Sequence, residues 1–401
     1  MTIDNALELF KQGKFEDAEV RYKEILANEP DNFEAIKQLG KIALYSNKFS
    51  EAEKLLTKAI LLNSDDKEPH LLLAEVYYRQ DKYLEAATIL NRIDEKDRAK
   101  RLESFKGSIP YYIEEKTNIN RIKFVKTDPL PLIQLRVNDG EVAHFVIDTG
   151  AAEVNIDTEF AKEIGAEIHF AREGSFAGGK TASVHMGKID SLTLGEVTIK
   201  NVPVNILPVR QFTAPMFRDI RVDGIIGTAL FYHFITTMDY LNGELILRKK
   251  NDAMINKFEQ EIKNQDIAEI PFWMAGKHFM VAWGKANNSK PLLFFVDTGL
   301  AGGGFTCPES TIKEAGIELQ SDKAITGSGG GGKLQAIPFI VDELSLGNVV
   351  EKNIRGFFAG GKTLSEMVGF HIGGIISHGF FRNYALTFDF TKMRLILQKK
   401  P

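Results

Sequence analysis

Two short triplets carry most of the chemistry in this chain. Asp148-Thr149-Gly150 and Asp297-Thr298-Gly299 stand 149 residues apart, and each ends an apolar run: Val142 to Ile147 before the first, Leu292 to Val296 before the second. One such triplet arises by chance among common residues. Two, each at the end of a strand-like segment, point to a matched pair of carboxylates. Carboxylates held a few ångström apart cannot both ionise cheaply, so they share a proton and can serve together as acid and base. Other chemistry finds less support. Gly327-Ser328-Gly329-Gly330-Gly331-Gly332 fits a dinucleotide fingerprint in letters, but strand-like residues follow it where a helix should open. Leu334 follows Gly332-Lys333, so a phosphate loop is excluded. The eight histidines show no metal-ligand spacing, and no metal or other cofactor is expected. Cys307 is the single cysteine; it lacks a nucleophile motif and reads as a packed thiol.

The elements that must position the aspartates are written twice. Leu192-Thr193-Leu194-Gly195 returns as Leu344-Ser345-Leu346-Gly347, and Lys200-Asn201-Val202 as Lys352-Asn353-Ile354, both at an offset of 152. Gly224-Ile225-Ile226-Gly227 returns as Gly374-Ile375-Ile376-Ser377, and Thr237-Met238-Asp239-Tyr240 as Thr387-Phe388-Asp389-Phe390, both at 150. Alternating apolar positions and turn pairs such as Asn138-Asp139-Gly140 mark both copies as β-rich. Offsets this steady imply one lobe, duplicated. The paired Asp239 and Asp389 lie outside the Asp-Thr-Gly grammar and read as structural.

This pattern resembles the aspartic peptidases. Each lobe is similar to the retropepsin type, and the fused pair to the bilobal pepsins, over residues from about 125 to 399. The resemblance implies that Asp148 and Asp297 form a catalytic dyad that activates water for peptide hydrolysis. It implies that Thr149 and Thr298 hydrogen-bond across the lobes, with Gly150 and Gly299 permitting a tight turn at the carboxylates. Ala151 and Leu300 follow the triplets where pepsins carry Ser or Thr. Without that hydroxyl a higher dyad pKa is expected, hence activity from mildly acidic to near-neutral pH. Two glycine-rich segments, residues 174–180 and 327–333, stand where hairpin flaps would lie over substrate. The expected flap residues are Phe176, Gly178 and Gly179 in one lobe, Gly329 and Gly330 in the other. Phe212, Met216, Phe217, Phe357 and Phe358 would either border side-chain pockets or pack the core, and core packing is commoner for aromatics. Ser377 in place of a glycine, and the run Gly302-Gly303-Gly304, depart from the symmetric pattern.

The first hundred residues have a different period. Phe15, Phe49 and Tyr83 each precede an alanine by three (Ala18, Ala52, Ala86), and the alanines recur every 34 residues. That period resembles the tetratricopeptide repeat, a stack of helical hairpins with a concave face. A docking surface for a peptide or protein partner, and a spacer or dimerisation arm, are both compatible with it.

The expected architecture is therefore multidomain, α plus all-β: an N-terminal α-solenoid over 1–105, a linker over 106–128, one peptidase lobe over 129–250, a second linker over 251–268, and the other lobe over 269–401. Composition agrees. A hydrophobic share of 44% is ample for packed cores, and a net charge of −4 gives no general basic excess for nucleic acid. No stretch approaches a membrane span, no signal segment precedes the repeats, and one cysteine allows no internal disulfide, so a cytoplasmic location is expected. The expected function is an aspartic endopeptidase, with one chain sufficient for catalysis, the repeats docking substrate or partner, and repeat-mediated dimerisation open. A non-catalytic peptide-binding adaptor of the same fold is the alternative.

Overall fold

A computed structural model describes residues 2–175, 181–329, 332–360 and 364–399. The chain divides into two compact units. One holds Met1–Ser108 with Trp273–Phe279 and Thr363–Ile372; the other holds Ile109–Phe272, Met280–Lys362 and Gly373–Pro401.

The first unit is helical. Its helices run Ile3–Lys11, Phe15–Asn28, Phe33–Tyr45, Phe49–Leu62, Lys67–Tyr78, Tyr83–Arg92 and Lys96–Glu103. The repeat is visible in its turns. Gly13, Asn47 and Asp81, spaced by the same 34 residues, all take positive φ (77°, 52° and 59°). These are the residue types that tolerate the left-handed region. At each turn the next amide closes back on the preceding helix: Lys14 to the Leu9 carbonyl, Lys48 to Ala43 and Lys82 to Tyr77, at 2.9–3.0 Å. Ala18, Ala52 and Ala86 are fully buried, so neighbouring helices approach closely there. Two segments far along the chain complete this unit. Phe370 packs edge-on to Phe15 with ring centroids 5.0 Å apart and touches Phe10 and Tyr45, while Trp273 lies against Phe15.

The second unit contains two closed six-stranded mixed barrels. In the first, the ring runs Val197–Leu207, Val154–Asp157, Gly224–Ile226, Val142–Ile147, Leu132–Val137 and Thr181–Leu194, which pairs back with Val197–Leu207. In the second it runs Phe279–Ala286, Leu292–Val296, Gly374–Ile376, Phe305–Thr306, Val349–Phe358 and Gly332–Leu346, closing on Phe279–Ala286. The register is duplicated as well. Phe145–Ile147 lies parallel to Gly224–Ile226, and Phe294–Val296 parallel to Gly374–Ile376.

A six-stranded antiparallel sheet joins the lobes. Its order is Ile267–Pro271, Arg394–Lys399, Tyr384–Asp389, Phe234–Asp239, Glu244–Lys249 and Ile119–Lys123. At its centre Thr237 pairs with Thr387, its own counterpart 150 residues on, and the two hydroxyls hydrogen-bond at 2.7 Å. The pseudo-twofold passes between them. Residues 106–128, read from composition as a linker, form strands, and 251–268, read as a polar helical linker, holds a helix. Tyr112–Glu115 pairs with Val197–Leu207, Ile119–Lys123 pairs with Glu244–Lys249, and Asp252–Ile262 is a helix leading into the strand at Ile267. The strands among them, Tyr112–Glu115, Ile119–Lys123 and Ile267–Pro271, lie at sheet edges, which keep one side in water.

Candidate functional site

The strands Val142–Ile147 and Leu292–Val296 are wedged between neighbours within their barrels, and each delivers its aspartate at a fixed end. Asp148 N bonds to the Ile226 carbonyl and Asp297 N to the Ile376 carbonyl, both at 3.0 Å. Each Asp-Thr-Gly then turns back on itself. Gly150 N donates to Asp148 Oδ1 at 2.8 Å, and Gly299 N to Asp297 Oδ1 at 2.7 Å.

Thr149 and Thr298 are fully buried and tie the lobes together. Thr149 N donates to Thr298 Oγ1, and Thr298 N to Thr149 Oγ1, both at 3.0 Å. Thr149 Oγ1 in turn donates to the Val296 carbonyl at 3.2 Å. The result is a reciprocal, solvent-excluded network in which a slip of either triplet would strand a buried donor.

The two glycines leave room for the carboxylates. A Cβ on Gly150 would lie 2.5 Å from Asp297 Cγ, and one on Gly299 2.2 Å from Asp148 Cγ. Each α-carbon thus sits against the carboxylate of the opposite lobe, and any side chain there would displace it. Both aspartates are half-buried. Burial raises both pKa values, and the Asp297 carboxylate pushes Asp148 well above the ordinary carboxyl range. The amides of Gly150 and Gly299 work in the other direction without cancelling the rise. Such a pair holds a single proton over a broad pH range, and the titration belongs to the pair.

The departures from symmetry compensate one another. In the first lobe Gly227 is pressed against the backbone: a Cβ there would meet the Glu153 carbonyl oxygen at 2.3 Å. In the second lobe the Gly302-Gly303-Gly304 run lengthens that loop, and Ser377 fits. Its hydroxyl accepts from Leu300 N at 3.1 Å, and its amide bonds to the Gly304 carbonyl at 2.9 Å. The serine thereby holds the residue that directly follows the second triplet. Thr228, next to Gly227, donates instead to the Thr149 carbonyl at 2.7 Å.

Thr228 has His378 as its counterpart, a histidine whose place near the closing element reads from sequence as solvent or hydrogen-bond duty rather than ligation. His378 is fully buried; its Nε2 lies 3.1 Å from Asp128 Oδ1 and 3.3 Å from Arg382 Nε, and Arg382 also pairs with Asp128. Burial pulls its pKa down to about 4, so the ring is neutral at ordinary pH. The buried Tyr240 lies against the same imidazole, and the charge of Asp297 adds to burial in raising its pKa. The break in the duplication, His for Thr at this position, was the available signal.

Of the expected flap residues, Phe176, Gly178, Gly179 and Gly330 lie outside the described residues. Gly329 ends the strand Ile325–Gly329, paired with Gly332 of the returning strand, and in the first lobe Ser175 pairs with Thr181. The strands that flank the two glycine-rich segments are thus antiparallel partners in both lobes. Phe217 is core, 2% exposed, whereas Phe212 and Met216 are only partly buried and, like Ala151, Ile220 and Ala301, pack against the buried cluster around Phe217. Phe357 and Phe358 are half-buried, and the Arg355 guanidinium lies 5.1 Å from the Phe357 ring. Asp239 and Asp389 hold turns, accepting from the amides of Asn242 and of Thr391 and Lys392. Cys307 is buried and its thiol is pushed up to about 12, as for a packed, unreactive group. Among the described residues no three His, Cys, Asp or Glu side chains gather as a metal site requires, and no helix is long and apolar enough to cross a membrane.

Comparison with known families agrees with this geometry. The aspartyl protease family model matches residues 133–230 and again 283–370. A tetratricopeptide repeat model matches 9–68 and 43–109. No curated protein matches the chain in sequence.

Proposed function

We propose, for a chain that is an aspartic-type endopeptidase made of two aspartyl protease domains behind a tetratricopeptide repeat region, that Asp148 and Asp297 are its catalytic pair. The observation that carries this reading is the reciprocal packing of each Asp-Thr-Gly glycine against the other lobe's carboxylate. In the reading, one carboxylate takes a proton from water as that water attacks the scissile carbonyl. The other, protonated, gives its proton to the carbonyl oxygen. The resulting tetrahedral diol collapses as the amide nitrogen is protonated, releasing the two peptide fragments. Thr149, Thr298, Gly150 and Gly299 keep the carboxylates in place.

Substrate is an extended peptide, with Phe176, Gly178, Gly179, Gly329 and Gly330 as its flap contacts. The partly exposed apolar group of Phe212, Met216, Ala151 and Ala301 supports a preference for an apolar side chain at the bond cleaved. Both aspartates come from one chain, so the monomer suffices. The repeat region serves protein interaction, and a chain with no possible internal disulfide suits a reducing, cytoplasmic setting.

Replacing Asp148 or Asp297 by Asn tests the assignment. Each is expected to lower cleavage of a casein or peptide-library substrate by about 10³-fold or more with the fold unchanged by circular dichroism. Wild-type turnover in either variant would remove that residue from the pair.

A further inference from the structure

The helical unit is not an empty repeat stack. The two segments that complete it, Trp273–Phe279 and Thr363–Ile372, come from the sequence of the second lobe. Arg79 grips the first. Its side chain is 1% exposed, and its guanidinium donates to the Leu44 carbonyl and to Asn47 Oδ1, each at 3.0 Å. One remaining nitrogen donates to the Met274 carbonyl at 2.8 Å and bonds to the Gly276 carbonyl, while Nε pairs with Glu75 at 3.0 Å. Lys277 lies over the Tyr78 ring, its ammonium 3.7 Å from the centroid. The second segment anchors through Phe370, 2% exposed among Phe10, Phe15 and Tyr45, and His371 N donates to the Lys11 carbonyl at 2.7 Å.

A buried cation spending its donors on backbone carbonyls, beside an aromatic pocket filled by one phenylalanine, is the chemistry of a site that recognises an extended peptide by main chain and anchor. We infer that this face of the repeats is a peptide-recognition surface whose occupant is the chain itself, bound in cis. An outside protein could use it only by displacing these segments, with an aromatic anchor of its own and carbonyls presented to Arg79. The held segments lead straight into the second lobe's framework. Phe279 opens the strand Phe279–Ala286, and Ile372 precedes the strand Gly374–Ile376 that pairs with Leu292–Val296, the strand just before Asp297. Within the helical unit, this face is occupied by the chain's own segments 273–279 and 363–372.

Hydrogen exchange on the full-length chain tests the inference without any cleavage assay, so it stands or falls apart from the assignment of the aspartates. In the wild type, the amides of Trp273–Phe279 and of His371 should exchange as slowly as those of the helices Phe33–Tyr45 and Lys67–Tyr78. Arg79→Ala should speed exchange across 273–279 by about tenfold or more, since hydrogen bonds to a charged donor are lost, while the helices stay protected. Fast exchange of both segments in the wild type would overturn the inference, and so would an Arg79→Ala chain with unchanged protection there. Should Arg79→Ala fail to fold, Phe370→Leu offers the same comparison at His371, and the wild-type pattern is decisive by itself.

Discussion

Single residues set the acid–base behaviour of the site. Burial and mutual repulsion raise the dyad, and Ala151 and Leu300 add no hydroxyl to oppose the rise. The working form carries one proton, so activity should extend from mildly acidic towards neutral pH and fall as pH passes the higher of the two raised values. A pH–rate profile measured on a peptide substrate checks this, and a maximum below about 3.5 would contradict it. His378 acts in the opposite sense. Its pKa drops from 6.5 to about 4 on folding, so between those values the unfolded chain binds a proton that the fold refuses. Its contribution to stability is whole above about 6.5 and is lost as pH falls towards 4. The charged neighbours Asp128 and Arg382 and the phenol of Tyr240 are present in both proteins if His378→Gln is compared with the wild type. The melting-temperature advantage of the wild type over that variant should shrink from pH 7 to pH 4, and a constant difference would show that His378 does not titrate as its burial requires.

The closing elements show how two local oddities become one working feature. Ser377 alone looks like a damaged glycine, and Gly302-Gly303-Gly304 alone looks like a slack loop. Together they let a hydroxyl reach Leu300 N beside the second triplet. Ser377→Gly, which restores the first lobe's residue, should therefore weaken the protein. The expected loss is about 1–2 kcal/mol in urea unfolding, with lower kcat, because a partly buried amide loses its acceptor and a backbone beside the aspartate is freed. An unchanged or more stable variant would make the serine incidental. The duplication itself was legible from spacing: strands, turns and triplets recur at nearly constant offset. That Thr237 would meet Thr387 was not legible, because pairing of equivalent strands follows from a symmetry axis that no local pattern encodes.

At the scale of the molecule, the boundaries drawn from composition differ most from the folded chain. Ile119–Lys123 is an edge strand of the central sheet, with Ile122 opposite Leu245. A chain beginning at residue 129 would lose it and expose Glu244–Lys249 as an unprotected edge. It should melt several degrees lower and aggregate on concentration, whereas a chain beginning at 109 keeps that strand. Differential scanning fluorimetry and light scattering on the two truncations decide between them, and equal behaviour would return 106–128 to the status of a linker. The 34-residue period likewise announced the helical unit, but gave no hint that residues near 275 and 370 would complete it.

Sequence by itself determined the covalent grammar: a repeat of fixed period, a duplicated β lobe, and two carboxylates each at the end of a strand. Those are local or periodic properties, written in side-chain order and readable one window at a time. Only the tertiary structure decided that the two glycines would each face the opposite carboxylate, that Ser377 would be a support, that His378 would be sealed beside Asp128, and that the repeats would hold segments of their own chain. Each of these joins residues between about 70 and 360 positions apart. Contacts at such separations are selected by the packing of whole elements, which decides what is buried and therefore which charges shift and which hydrogen bonds cannot be given up.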